Sequence, residues 1–238
     1  MKKASFIFIV AGIILSGMGC VSSGKAIVGQ RDPIALVSVV SNGDINWKGE
    51  GPTDPNTTSL FANRALREDP DMVVASSADG LINTAEGLIR GAFDGSVISL
   101  AEKETVLQSL AYRNASLNNA QIRSKMVKPA DYLFVNYRDK NFPVVLASET
   151  GIQRSMFVEF EFTKVMYSGF GKNGECRAVL DMTIRILDNT GKTLYHKTFS
   201  TWSKSTLRAS GGLYSQTGLM ELFEATITEM CQDFLDSL

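Results

Sequence analysis

Three cysteines are the residues of this chain best placed to do chemistry, and Cys20 is the most informative of them. It follows two lysines (Lys2, Lys3), an apolar run from Phe6 to Leu15, and the small stretch Ser16, Gly17, Met18, Gly19. A basic start, a short apolar core and small residues before a cleavage point are the layout of a secretion signal, here one ending at a cysteine. The Cys20 thiol would then be acylated by palmitate-class chains and become the mature N-terminus. A ten-residue apolar run is too short to span a bilayer, which takes about 20 residues. Gly17 and Gly19 also satisfy the small-x-small rule of ordinary signal cleavage, the alternative in which the chain is secreted without lipid.

The other two thiols are Cys176 and Cys231. Cys176 opens a strand on the face shared by Ala178 and Leu180, and Cys231 lies on the last helix beside its apolar stripe. Both are expected to face the interior. In an oxidising compartment they could form one disulfide; as two separate buried thiols they would pack as small apolar residues.

The remaining candidates for chemistry are weak. His196 is the only histidine, which excludes a histidine-based metal cluster or an H-E-x-x-H site. No G-x-S-x-G elbow is present to make a hydrolase triad with it. Glu159 and Glu161 share one face of a strand at a spacing that could bring carboxylates together, but they read better as the solvated face of the meander. Gly169-Phe170-Gly171-Lys172-Asn173-Gly174 has the G-x-G-x-x-G spacing, yet phosphate binding needs a helix after the glycines. Here a strand follows, so the segment reads as a hairpin loop. The chain is therefore expected to be no enzyme, with no cofactor and no metal.

Charge narrows the partners. The formal net charge is −1, and without Lys2 and Lys3 the mature chain stands at −3. Such a protein lacks the basic footprint of nucleic-acid binding and gains little from anionic head groups.

The elements that must position these residues can be read from periodicity. Residues 1–19 form the signal and 20–32 the lipidated cysteine and a short polar tether. Residues 33–238 are expected to form a single domain. Ile34 to Ser41 reads as a buried first strand. The glycine- and proline-rich stretch Asn42 to Ser59 reads as a loop, with Trp47 tucked down as a lid. A short helix is expected at Leu60 to Arg67 and a short strand at Met72 to Ala75. A helical block covers about 77–127: Leu81, Ile82, Ala85, Leu88, Ile89, Ala92 and Phe93 recur at 3.6-residue spacing. Further helices are expected over Val97 to Tyr112, with Ser99 and Glu102 as a capping box, and over Leu117 to Val127. Ala130 to Tyr137 reads as a strand and Pro143 to Thr150 as a helix stopped by Gly151. Met156 to Tyr167, Cys176 to Leu187 and Thr193 to Ser203 alternate as an antiparallel meander, its second turn at Asp188 to Gly191. A helix from about Gly218 to Leu235 closes the chain. The fold class is α+β: a mixed sheet of about five strands, ending in a three-strand meander, covered by helices.

Within the strongest amphipathic helix, Gly87, Gly91 and Gly95 recur every four residues. They suit close packing on a neighbouring helix. Glycine also weakens a helix, by about 1 kcal/mol relative to alanine, so this helix could instead detach and lie in a membrane interface. Leu81, Leu88, Ile89 and Phe93 are the lipid-contact candidates in that case.

From Ala130 onward the order ADYLFVNY, a helix ending at Thr150-Gly151, MFVEFEFTKV, the DNTGK hairpin and a closing helix resembles envelope lipoproteins. The likeness is to the curli-secretion lipoprotein and to the N-terminal domain of the Tol-system propeller protein. It is one of architecture and carries over no functional residues. Gly17 stands where the usual lipobox has leucine, a looseness shared by spirochaetal lipoproteins. The helical block also resembles treponemal outer-membrane-associated lipoproteins with membrane-entering helices. The resemblance implies a non-enzymatic lipoprotein, accessory or scaffold in envelope assembly or transport, acting through contacts with an envelope protein. Its anchor would hold it in the cell envelope facing the periplasm, on the outer rather than the inner membrane. The alternative is a lipid-binding or membrane-interacting protein using amphipathic helices at about 80–112.

Overall fold

The computed structural model describes residues 27, 32–50, 68–115 and 125–238. Cys20 and the expected helix at 60–67 lie outside them, as does most of the helix expected over Leu117 to Val127, whose described end at Met126–Val127 is a strand drawn onto the first strand of the sheet.

One long hairpin organises the molecule. Strand β6 (Arg154–Phe170) and strand β7 (Asn173–Asp188) pair antiparallel over their whole length, from Arg154 opposite Asp188 to Phe170 opposite Asn173. On its other edge β6 takes two partners in succession, both parallel. β1 (Ile34–Asn42) runs beside residues 154–160, and β2 (Asp44–Trp47) meets Thr163 and Lys164. The gap between them is closed by a side chain. The Asn42 amide donates to the Phe162 carbonyl at 2.8 Å and accepts from the Phe162 N–H at 2.8 Å, replacing both missing ladder bonds. β7 is likewise shared, pairing with β8 (Thr193–Trp202) and with the short β9 (Leu207–Ala209).

Short segments finish the edges. β5 (Met126–Val127) adds to β1 and β4 (Ser76–Ser77) to β2, making a mixed eight-stranded sheet. β3 (Met72–Val73) and β10 (Tyr214–Ser215) form a separate pair. The α+β class and the closing meander are as expected. The strand count exceeds five because segments of two to four residues carry too little periodicity to be read.

Alternation decides the faces. Met156, Val158, Phe160 and Phe162 of β6 face the same way as Leu180, Met182, Ile184 and Ile186 of β7, and all are buried. Helix α5 (Gln216–Asp236) covers this face, with Phe223 edge-on to Phe162 at 5.1 Å and Phe234 against Tyr195 and Phe199. Its N-terminus is capped by Ser215, whose Oγ accepts from the Gly218 N–H at 2.9 Å. Helix α1 (Asp79–Phe93) packs beside α5, Phe93 meeting Phe234 at 5.5 Å. Helices α2 (Lys103–Leu107), α3 (Leu110–Ala115) and α4 (Asn141–Thr150) complete the described set. Gly151, at φ +75°, ends α4 in the left-handed conformation that glycine adopts freely.

Three local expectations are corrected. Trp47 belongs to no loop: it sits in β2 and is buried. Residues 97–102 are not helical, because the Ile34 N–H donates to Ser99 O at 2.9 Å and the Ala101 N–H to Ile34 O at 2.8 Å, which draws them alongside β1. Glu102 precedes α2 instead of sitting inside a helix, so no capping box forms with Ser99. Ala130 to Tyr137 is not a strand. Its aromatic residues are there for burial: the Tyr132 hydroxyl donates to Glu86 at 2.9 Å and accepts from Arg90 at 2.8 Å, inside the packing of α1. Strand-like composition reported burial here, not a ladder.

Candidate functional site

The residues singled out for membrane contact lie in the packed interior. Leu81, Ile89 and Phe93 are buried and Leu88 is half-buried, on the side of α1 facing α5 and the sheet. To present them to lipid, α1 would have to leave α5. Gly87, Gly91 and Gly95 have nothing within 4 Å of where a Cβ would stand, so close helix packing does not account for them. No helix among the described residues is long and apolar enough to cross a membrane.

Cys176 and Cys231 are both buried and unbonded. Burial pushes the Cys231 thiol up to about 12. It also raises that of Cys176, opposed by nearby Lys164.

Glu159, Glu161 and His196 do not converge. Glu159 and Glu161 are exposed on the sheet face away from α5. His196, opposite Arg185, shares a 3.0 Å hydrogen bond with that guanidinium. Partial burial and the Arg185 charge hold the imidazole below its ordinary value. The glycine motif proves to be the hairpin tip. A Cβ on Gly169 would lie 2.0 Å from Asn173 O, and one on Gly174 2.1 Å from Ser168 O, so the glycines serve strand approach rather than a phosphate. Among the described residues no group of three His, Cys, Asp or Glu side chains is arranged to hold a metal. A cleft of about 470 Å³ beside α2 and α4 is lined by Glu104, Gln108 and Glu149. Glu149 is already engaged there, accepting from the Ala111 N–H at 2.9 Å.

Two arrangements stand out that sequence reasoning had not assembled. The first is internal. Lys164 is fully buried, its Nζ donating to the Ile45 carbonyl while lying 5.1 Å from the Trp47 ring centre and 4.7 Å from that of Tyr214. Desolvation pushes its pKa down to about 8. The Tyr214 phenol is in turn raised by burial to about 12 and bonded to Ser76 at 3.1 Å. This aromatic enclosure stitches β2, β6 and β10 together. Lys164 and Tyr214 are both fully buried in it.

The second lies outside. The face of β6, β7 and β8 opposite α5 carries, in successive rows, Glu159-Thr183-Thr198, Glu161-Asp181-Ser200 and Thr163-Val179-Trp202. Glu161 and Asp181 stand directly opposite each other, an arrangement of like charges that costs stability. No cation lies within ion-pair distance of Glu159, Glu161 or Asp181 among the described residues, and Asp181 Oδ1 is shielded from water without a hydrogen-bond partner. Beyond them Trp202 is 45% exposed, Tyr167 54% and Phe170, at the hairpin tip, 92%. Arg177 lies flat on the Tyr167 ring at 3.8 Å. Val179 is fully buried although it sits on this open face and outside the main core, so the face has a small apolar centre of its own. Tyr167 and Trp202 were legible in the sequence as strand residues and Phe170 as part of a hairpin loop; that they remain uncovered was not, since a strand does not announce which face lacks a helix.

No family model matches the chain, and no curated protein does. Among solved structures, the chain is similar to the LpoB C-terminal domain from Salmonella enterica, at 10% identity and a TM-score of 0.27, over 75% of this chain and 95% of that one. The likeness is too distant to carry fold or function from one protein to the other.

Proposed function

We propose that this chain is a lipid-anchored, non-enzymatic protein of a bacterial envelope, tethered through acylated Cys20 and acting by contact with another envelope protein. The observation that carries the reading is the open β6–β7–β8 face. It combines exposed aromatic side chains with unneutralised carboxylates, and large exposed apolar residues beside polar groups mark interaction surfaces. The membrane-inserting alternative asks α1 to abandon a packed interface. At about 25 cal/mol per Å² of apolar surface, exposing Leu81, Ile89 and Phe93 together would cost several kcal/mol.

The test uses a deletion strain whose envelope defect is read as detergent sensitivity. The parent gene restores resistance and its product sediments with membranes. Cys20→Ser releases the product into the soluble fraction. Phe170→Ser with Trp202→Ser keeps the protein folded and membrane-bound but fails to restore resistance, whereas His196→Ala restores it. Restoration by the aromatic double variant, or failure of the His196 variant, contradicts the reading.

A further inference from the structure

Ile27 and Asp32, the first described residues, and the exposed aromatic tip lie at opposite ends of β6. Arg154, the first residue of β6, is buried, and its guanidinium donates to the carbonyls of Ile27, at 2.9 Å, and of Asp32. It therefore holds the N-terminal segment at the start of β6. Phe170 is the last residue of the same 17-residue strand. At about 3.3 Å per residue the strand spans roughly 50 Å. Ile27 lies only seven residue steps from Cys20, a reach of about 25 Å at full extension. The Arg154 end is thus leashed to the membrane that takes the acyl chains, and the leash is shorter than the strand.

We infer that the domain stands with its Arg154 end at the anchoring membrane. The far end, Phe170 with Tyr167, Arg177 and Trp202 behind it, is then a docking surface for a protein beyond that membrane. This rests on the proposed acylation of Cys20. The occupant is a protein with an apolar pocket and a basic rim. Phe170 is an almost fully exposed ring on a turn whose glycines let the strands close tightly, the form of a knob that fills a pocket. Along the face from Phe170 to Glu161, a distance of about 30 Å, and on to Glu159, the carboxylates of Glu161, Asp181 and Glu159 have no cation within ion-pair distance, while Arg177 lies flat on the Tyr167 ring. Two lysines near the tip are already paired, Lys172 with Glu50 at 2.7 Å and Lys204 with Glu229 at 2.8 Å. A partner covering this strip is therefore selected for positive charge, and pairing would relieve the Glu161–Asp181 repulsion.

The test reads orientation and docking separately. The full-length lipoprotein, its two core thiols unreactive by burial, is labelled at a single added cysteine and reconstituted in phosphatidylethanolamine–phosphatidylglycerol vesicles bearing an acceptor on the head groups. Lys192→Cys marks the hairpin beside Arg154, and Ser168→Cys marks the tip. Energy transfer to the membrane is expected to be several-fold stronger from position 192. Equal or stronger transfer from 168 overturns the inference, because the tip then rests on the anchoring bilayer. Should neither protein associate with vesicles, and Cys20 carry no acyl chain, the anchor reading itself has failed. In cells, a photo-crosslinker at Ser168 should give a protein adduct that falls at least tenfold with Phe170→Ser and with Glu161→Lys. A lipid or glycan adduct, or a protein adduct indifferent to both substitutions, overturns the docking assignment.

Discussion

Replacing Lys164 by methionine should change how stability depends on pH, with a sign and a size that the structure sets. The ammonium is fully buried, with one backbone carbonyl and two ring faces as its partners. Its pKa falls from 10.5 to about 8 by desolvation. Below pH 8 the folded and unfolded states both hold the proton, and the folded state bears the full cost of burying it. Between about 8 and 10.5 the unfolded chain binds the proton more tightly, so Lys164's contribution to stability rises with pH through that window. A shift of this size corresponds to about 3 kcal/mol. Methionine fills similar space without a charge. It leaves the Ile45 carbonyl unpaired, at a cost of about 1–3 kcal/mol. The variant should therefore be no less stable than the parent, or more stable by about 1–2 kcal/mol, near pH 7. It should lose that standing by about pH 10. Burial raises Tyr214 and Cys231, whose titration weakens the fold at high pH, but both are common to the two proteins and cancel in the difference. The assay is urea unfolding of both proteins at several pH values, followed by tryptophan fluorescence, with Trp47 against Lys164 as the reporter. A stability difference that stays flat from pH 7 to 10 would refute the reasoning, since the ammonium would then be hydrated or hold its ordinary pKa.

Asn42→Ala removes both bonds that bridge the break between β1 and β2 and leaves Phe162 N–H and C=O unpaired. A loss of about 2–3 kcal/mol is expected in denaturant unfolding. Gly169→Ala and Gly174→Ala force a Cβ to within about 2 Å of facing backbone oxygens and should each lower the melting temperature clearly, whereas Gly171→Ala, with open space around it, should cost only about 1 kcal/mol. Ile89→Glu would place a carboxylate in the core and is expected to unfold the protein, seen as loss of near-ultraviolet dichroism, instead of selectively removing any membrane contact. Tyr132→Phe strips the hydroxyl that joins Glu86 to Arg90 and should destabilise by about 1–3 kcal/mol.

The parts of the fold that were legible are those where one physical rule dominates. The alternation of Val158, Phe160 and Phe162, the Asp188–Gly191 turn, the Gly151 stop and the stripe of α5 each follow from period or turn chemistry, and the structure has them. Trp47 and the 97–102 segment were misread because long-range pairing overrides local composition: β2 exists only because β6 offers it an edge beyond β1. Lys164 was visible in principle. It occupies the inward parity of Val158, Phe160 and Phe162, and a lysine at that parity must find an unusual partner. The open face was half legible. Its alternating polar residues were read as solvated, but the meeting of Glu161 with Asp181, and of Arg177 with Tyr167, needs the register, which one sequence does not disclose.

The account depends most on Cys20, and mass spectrometry of the mature protein's N-terminal peptide tests it most directly. The account predicts a chain that begins at Cys20, lacks residues 1–19 and carries the added mass of acyl chains. A mature chain that begins elsewhere, or at Cys20 with an unmodified thiol, would contradict it.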